Sequence, residues 1–307
     1  MIKFLFSLGL LFIFSCSSPA MKDNSMDFKV LSTDFDSDLT DISVLDEMLL
    51  ITGSRGFSSI SRNKGLSWVP LSLSVNSQAF VSCEILSSRT FFIASKNLFH
   101  STDGGQSFKD IQGFAENPSP INAIEFSSPL DGVLVTGGKI YKTIDSGNSW
   151  RLTFREAYSC DIMAHFQDIW YIAGGDTHDL VSKGVLYRSN DGGIHWIKNL
   201  EIDQEILTLS ILNSLQAFFT TKESFYKTSD GGQKWRRIST IPESFTSLLF
   251  TNPTTGYACS YSGNIYSTSD GGKSWTLVFE GTTTLTKIIR GSKSIIVIGN
   301  NGIILKN

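Results

Sequence analysis

The 307-residue chain has no excess of basic residues and carries neither an acidic nor a basic tail. Lys and Arg number 26 against 29 Asp and Glu, which gives a formal net charge of −3 at pH 7. A protein that binds a phosphate backbone needs a surplus of cations on its surface. The composition therefore gives no support to nucleic-acid binding.

Proline is also scarce, at 7 residues, whereas Gly numbers 26 and Phe 22. Hydrophobic residues make up 41% of the chain, which is enough to bury a large core and is not typical of a disordered protein. Many aromatic residues together with many glycines favour short strands joined by glycine turns.

Cysteine is limited to four residues. Cys16 lies beside the N-terminal apolar run, and the other three are Cys83, Cys160 and Cys259. An odd number excludes complete pairing within the chain. We expect these three to be buried thiols rather than parts of a disulfide or a metal site.

The N-terminal apolar run, from Phe4 to Phe14, is too short to span a bilayer. Lys3 precedes it and Ser15-Cys16 follows it, as at a bacterial lipoprotein processing site, where the cysteine thiol takes a diacylglycerol. We therefore predict a signal and lipidation site over residues 1–16, a flexible tether over 17–26, and export to the bacterial cell envelope with a lipid anchor on a membrane. The alternative is an ordinary secretory signal with an incidental cysteine.

The rest of the chain repeats one short pattern six times: Ser/Thr-x-Asp-x-Gly-x-x-aromatic, with departures at single positions, as in STDGGQSF, TIDSGNSW and TSDGGKSW. Successive copies lie 40, 42, 46, 39 and 40 residues apart. A near-constant step of this length indicates a repeat architecture. The third positions of the six copies are Asn63, Asp103, Asp145, Asp191, Asp230 and Asp270.

Each repeat also carries four short strands. In the unit from Phe245 to Val278, FTSLLF, YACSY, NIYST and SWTLV are separated by turn residues. Four strands per repeat are typical of a propeller blade. The repeated Asp is expected to accept backbone N–H bonds in the last turn of the blade, and the Gly to permit a positive φ there.

The two ends of the chain predict how the ring closes. GIILKN at the C-terminus aligns with the third strand of a blade, and Phe28 to Leu31 aligns with a fourth strand. Pairing them completes a seventh blade and leaves no open edge between the termini. The predicted fold is all-β, a seven-bladed propeller of four-stranded blades over residues 27–307.

The six-fold pattern is the Asp-box, or bacterial neuraminidase repeat. The longer unit FTSLLFTNPTTGYACSYSGNIYSTSDGGKSW resembles the repeat of the photosystem II stability/assembly factor family and its non-photosynthetic bacterial relatives, over about residues 28–307. The resemblance implies an assembly or interaction factor without a cofactor. Photosynthetic members bind a membrane-protein precursor, and an arginine-rich surface is associated with that binding. In this sequence the nine arginines are few and scattered, and they match no such patch.

A glycosidase is the alternative class, because sialidases share the Asp-box. The box aspartates are expected to be structural, since they occupy equivalent turns around a ring and cannot converge on one substrate. The sialidase signature Arg-Ile-Pro is absent, and Arg237-Ile238-Ser239 is no substitute for it. No catalytic residue is assigned. A carboxylate pair at the central channel would favour hydrolysis, and clustered aromatics on the loop face would favour glycan binding.

The blade-four repeat contains an insertion from Gly174 to Gly184, between its second and third strands. Asp176, His178 and Asp179 within it are able to bind a polar ligand or a metal, although we assign no metal; a solvated loop is the alternative. This loop and the linker from Gly113 to Pro120 are predicted to share the face opposite the Asp-boxes. We expect that face to bind another envelope or membrane protein, in a non-enzymatic lipoprotein that acts as an interaction or assembly scaffold. The alternative is a carbohydrate-directed protein, either a glycan binder or a glycosidase.

Overall fold

The computed structural model describes residues 27–31, 33–73, 78–111, 120–155, 157, 160–176 and 183–307. Within these ranges every regular element is a β-strand except one 3-10 helix, Ser54–Gly56. No helix in the described part of the chain is long and apolar enough to cross a membrane. The predicted signal, the lipidation site Cys16 and the tether over 17–26 lie outside the described residues.

Blades 1 to 3 follow one another along the chain, each with four strands that we label a to d from the channel outwards. Blade 1 contains β2 (Leu39–Leu45), β3 (Met48–Gly53), β4 (Ser58–Ser61) and β5 (Val69–Pro70). Blade 2 contains β6 (Ser82–Ile85), β7 (Phe91–Ala94), β8 (Leu98–Ser101) and β9 (Lys109–Ile111). Blade 3 contains β10 (Ile121–Phe126), β11 (Gly132–Thr136), β12 (Lys139–Thr143) and β13 (Arg151–Arg155).

Blades 4 to 6 have the same strand order. Blade 4 contains β14 (Cys160–Phe166), β15 (Ile169–Asp176), β16 (Lys183–Ser189) and β17 (Ile197–Ile202). Blade 5 contains β18 (Thr208–Ile211), β19 (Ala217–Thr220), β20 (Ser224–Thr228) and β21 (Arg236–Thr240). Blade 6 contains β22 (Phe245–Phe250), β23 (Gly256–Ser260), β24 (Ile265–Thr268) and β25 (Thr276–Phe279).

Blade 7 joins the two ends of the chain. Its first three strands are β26 (Leu285–Arg290), β27 (Ile295–Gly299) and β28 (Ile304–Lys306), and its outermost strand is β1 (Lys29–Val30). Lys29 pairs with Lys306 and Val30 with Leu305. Phe28 is 93% buried in the same blade. The predicted seven-bladed, all-β fold and its closure by N- and C-terminal strands are both confirmed.

The core lies between neighbouring blades rather than at one centre. Between blades 5 and 6, for example, the buried rings of Phe218 and Phe250 stack with their centroids 3.7 Å apart. Trp275, the aromatic of the blade-6 Asp-box, meets Phe225 of blade 5 and Phe245 of its own blade edge-on. Flat aromatic side chains therefore fill the wedge between twisted sheets.

The innermost strands of the seven blades surround the channel, and three of them donate a threonine hydroxyl to the next blade near their N-terminal ends. Five of these strands have an irregular register at this point. The Thr40 hydroxyl donates to the Phe80 carbonyl of blade 2 at 2.6 Å, and Thr286 donates to the Leu39 carbonyl of blade 1 at 2.8 Å. The second bond joins the last blade to the first, so the ring is closed near the channel as well as at its rim.

Candidate functional site

The Asp-box turns use their polar groups internally. In blade 6, Oδ1 of Asp270 accepts the backbone N–H groups of Lys273 and Ser274 at 2.9 and 3.0 Å, and Oδ2 accepts the Ser274 hydroxyl at 2.6 Å. Thr268 donates its hydroxyl to the same carboxylate at 2.8 Å. The side-chain and backbone bonds from Ser274 lower the pKa of Asp270 to about 2. The carboxylate is thus an acceptor that holds the turn.

The other boxes repeat this arrangement. The box residue accepts the hydroxyl of the Ser or Thr two positions earlier at 2.8 to 2.9 Å, and also a backbone N–H four positions later, in each of Asn63, Asp103, Asp145, Asp191 and Asp230. The six turns belong to six different blades. No two of these residues are therefore placed to act on one substrate.

The predicted interaction loop extends the longest hairpin of the described chain. Strands β15 and β16 have eight and seven residues, and Asp176 pairs with Lys183 at the end of this ladder. His178 and Asp179 lie outside the described residues. Of the second predicted segment, Gly113 to Pro120, only Pro120 is described, and its carbonyl accepts the Thr136 hydroxyl at 3.0 Å.

The centre of the ring contains a cavity of about 250 Å³, lined by residues from all seven innermost strands. A second, adjoining cavity shares several of these lining residues and is also lined by Pro120 and Gly137, which lie on the face of the b–c turns and d–a linkers. This face, opposite the Asp-boxes, is called the loop face below. The channel therefore opens on the loop face.

Charged side chains are concentrated on one side of the channel. Lys287 of blade 7 forms an ion pair with Asp41 of blade 1, which is 97% buried. Oδ2 of Asp41 also accepts the backbone N–H of Cys83 in blade 2 at 2.8 Å. Burial lowers the pKa of Lys287, but the charge and hydrogen bond of Asp41, together with Cys83 and Glu84, raise it above its ordinary value, so the amine stays charged. One carboxylate thus connects three blades.

Two further carboxyl groups follow on blades 2 and 3. Glu84 accepts the Ser43 hydroxyl at 3.2 Å, and burial, Glu125 and Asp41 raise its pKa well above the ordinary value. Burial raises the pKa of Glu125 to about 8, against the opposing effect of Lys287, and Asp41 adds to the rise. One oxygen of Glu125, Oε2, is buried without a hydrogen-bond partner among the described residues.

His165 of blade 4 is next to Glu125, with Nε2 4.0 Å from Oε1. Burial lowers its pKa to about 4, so the imidazole is neutral at physiological pH and the contact is not an ion pair there. Its ring stacks on Trp170 at 4.6 Å between centroids. We define the channel cluster as Asp41, Glu84, Glu125, His165 and Lys287.

The channel cluster was not predicted from the sequence. The sequence carried only a weak indication of the cluster. In the innermost strands SCEI and INAIEF, a Glu occupies the position that Leu249 has in the corresponding strand FTSLLF. A charged residue on a strand that should be buried was the only available indication. The cluster forms because residues from separate repeats meet at the axis.

The remaining predicted ligands do not form a site within the described residues. No group of three or more His, Cys, Asp or Glu side chains there is able to hold a metal ion. His100 stacks on Phe92 at 4.2 Å, and His195 bonds Asp191 of its own box at 2.6 Å. Cys83, Cys160 and Cys259 are buried and form no disulfide, as expected.

Comparison with known proteins adds a family match and several fold matches. Residues 156–305, which include β14 to β27 and most of β28, match the family model of the photosynthesis system II assembly factor YCF48. No curated protein matches the chain. The resemblance predicted from the repeat is therefore confirmed.

Solved structures with the same fold include two of YCF48 and one of an enzyme. YCF48 bound to a D1 peptide superposes with a TM-score of 0.76 at 17% identity, covering 91% of this chain and 96% of that one. YCF48 from Cyanidioschyzon merolae gives 0.73 at 18%, covering 91% and 98%. Virginiamycin B lyase from Staphylococcus aureus gives 0.74 at 12%, covering 91% and 99%. At these identities the superpositions show the fold alone.

Proposed function

We propose that this chain, a β-propeller that resembles the photosystem II assembly factor family over blades 4 to 7, is a non-enzymatic scaffold that binds another protein on its loop face. The observation that carries the proposal is the β15–β16 hairpin. It is longer than the corresponding hairpin of blade 5, whose strands have four and five residues. Irregular loops on a rigid scaffold are where binding residues usually collect.

The opposite face supports this choice of surface. Its box carboxylates accept several hydrogen bonds from their own turns, as in Asp270, and have little capacity left for a partner. The peptide-bound structure of YCF48 concerns that protein, but it makes a protein partner the natural class to test first.

Shortening the insertion tests the proposed surface. Replacing residues 176–182 by a tight glycine turn should preserve the fold, because the rest of the β15–β16 ladder remains, and should weaken the main complex captured by crosslinking in the native cell. A matched control carries Leu130→Ser and Ile144→Ser, two exposed side chains on the Asp-box face, and should leave the complex unchanged. Equal yields from the shortened and wild-type proteins would place the partner elsewhere.

We further propose that a lipid on Cys16 holds the scaffold on a membrane of the bacterial envelope. The support is the short apolar run followed by Ser15-Cys16. Cys16→Ala should abolish incorporation of a labelled fatty acid and release the protein from the membrane fraction. Cys16→Ala protein that stays in the membrane fraction would contradict the anchor without affecting the proposed binding surface.

A carbohydrate-directed role is the second candidate, and the observation that favours it is the pair of carboxyl groups, Glu84 and Glu125, on adjacent blades of the channel. A glycosidase would release reducing sugar from envelope glycans, and Glu125→Gln would abolish that release. The scaffold proposal expects no release from either protein.

A further inference from the structure

The channel cluster contains one ammonium group and three carboxyl groups on successive blades. Lys287 is the only cationic side chain in the described channel lining, and it already pairs with Asp41. Glu84 and Glu125 therefore have no cation of their own. The charges of the channel cluster are balanced only while both glutamic acids are protonated.

The remaining lining offers no compensation. β14 contributes Asp161, whose pKa burial and Glu205 raise. His165 of the same strand lies behind the lining against Glu125, and it is neutral because burial lowers its pKa to about 4. β18 and β22 contribute only Leu, Thr and Ser. Ionisation of Glu84 and Glu125 would thus add two negative charges to that of Asp41 within one narrow channel. The Glu125 side chain is 30% exposed, so water screens their repulsion in part, but less than on the open surface.

Glu84 and Asp41 are part of the contacts between blades 1 and 2. Ser43 of blade 1 donates its hydroxyl to Glu84 and accepts the backbone N–H of Ile85 at 3.0 Å. Asp41 accepts the N–H of Cys83 in the same interface. The Ser43 bond favours the ionised form of Glu84, whereas burial, Glu125 and Asp41 oppose it by more, so the charge of Glu84 bears directly on the interface of blades 1 and 2.

We propose that the channel cluster is a pH-sensitive contact that holds blades 1 and 2 together while Glu84 and Glu125 are protonated and loosens when they ionise. The inference is independent of what the loop face binds, because the response belongs to the ring itself. It gives the scaffold a stiffer channel wall in mild acid and a more mobile one at mildly alkaline pH.

The linkage between protonation and opening determines in which direction pH changes the opening of the blade interface, and over which pH range. A carboxyl group with a raised pKa in the closed ring and an ordinary pKa of about 4.5 once hydrated favours opening as pH rises, until pH passes the closed-state pKa. For Glu125 that limit is about 8. His165 has the opposite effect, but only below its ordinary pKa of about 6.5. The range from pH 6.5 to 8 therefore isolates the carboxyl groups.

Amide hydrogen exchange followed by NMR tests the proposal with reporters inside the molecule. The Cys83 and Ile85 amides cross the interface of blades 1 and 2, and the Phe250 amide makes the same kind of bond to Ser210 between blades 5 and 6, at 3.0 Å. After correction for intrinsic exchange, the opening constant at Cys83 and Ile85 should rise up to about tenfold per pH unit for each ionising carboxyl group. The opening constant at Phe250 should not change.

Substitutions distinguish an effect of Glu84 and Glu125 on one interface from a loosening of the whole ring. Glu84→Gln with Glu125→Gln keeps the shape of both side chains and should make the Cys83 and Ile85 profiles flat, and each single substitution should reduce the slope. Glu223→Gln, an exposed glutamate on the β19–β20 turn, should leave the wild-type slope. An equal rise at Phe250, a flat wild-type profile, or single variants with the wild-type slope would each overturn the proposal.

Discussion

At the scale of single residues, the Asp270 carboxylate shows how one side chain stabilises a turn. It accepts two backbone N–H groups and two hydroxyls. Since its pKa is about 2 in the folded protein and about 3.8 when unfolded, its stabilising effect is present above pH 3.8 and is lost as pH falls through 2. Asp270→Asn should cost about 1 kcal/mol at pH 7 and much less at pH 2.

Urea unfolding of both proteins across that pH range measures the difference. The first box offers a matched control, because Asn63 naturally occupies the same position and bonds Ser61 and Ser67. Asn63→Asp should add a new loss of stability below pH 4. If the Asp270→Asn difference is the same at pH 7 and pH 2, the carboxylate charge does not stabilise the turn.

The role of a residue could be predicted from the sequence where its hydrogen-bond partners lie within a few positions of it. The Asp-box aspartate, its hydroxyl partner and the glycine lie within five positions, and the sequence alone indicates their bonds, as at Asp270. Glu84 and Glu125 were not predicted as a pair, because 41 residues separate them and the aligned repeat gave no measure of their distance across the channel.

At the scale of elements, β1 is only two residues long but supplies the outermost strand of blade 7. Phe28 beside it is buried with Tyr257 and Leu305, and Leu31 donates its N–H to Ile304 at 2.8 Å. Deleting residues 28–31 would expose the β28 edge and remove a buried aromatic, which costs roughly 3–5 kcal/mol. We expect the melting temperature to fall by about 10 °C.

Calorimetry of two deletions checks this expectation. A four-residue deletion between positions 17 and 26 removes the same length of chain upstream of β1 and should leave the melting temperature unchanged. Similar melting temperatures for the two deletion proteins would mean that β1 does not stabilise the ring.

The elements themselves were mostly predictable. The box spacing located the turns between strands c and d, and the step of 46 residues located the longer blade-4 hairpin. The irregular register at the start of the innermost strands was not predicted, because the hydroxyl bonds of Thr40 and Thr286 depend on carbonyls of the neighbouring blade. The repeated sequence pattern predicts the strands within a blade, whereas contacts between blades of different sequence cannot be read from it.

At the scale of the whole molecule, the seven blades are similar in backbone and different in charge. The ionisable side chains of the channel come from blades 1, 2, 3, 4 and 7, whereas blades 5 and 6 contribute only uncharged side chains to the channel lining. The mouth of the same channel is on the loop face, near Pro120 and Gly137. A partner that entered the channel from that face would therefore meet ionisable side chains on five blades and only uncharged ones on two.

The pairing of β1 with β28 also determines the order of events during synthesis. Residues 29 and 306 are neighbours in the folded protein but are synthesised 277 residues apart. At about 5–20 residues per second, the first strand remains unpaired for on the order of ten seconds or more. Contacts this distant in sequence also form slowly, because a long loop must close before they stabilise the chain. The nascent protein thus has an exposed strand edge until its last blade emerges, and this is the period in which it is most prone to aggregate.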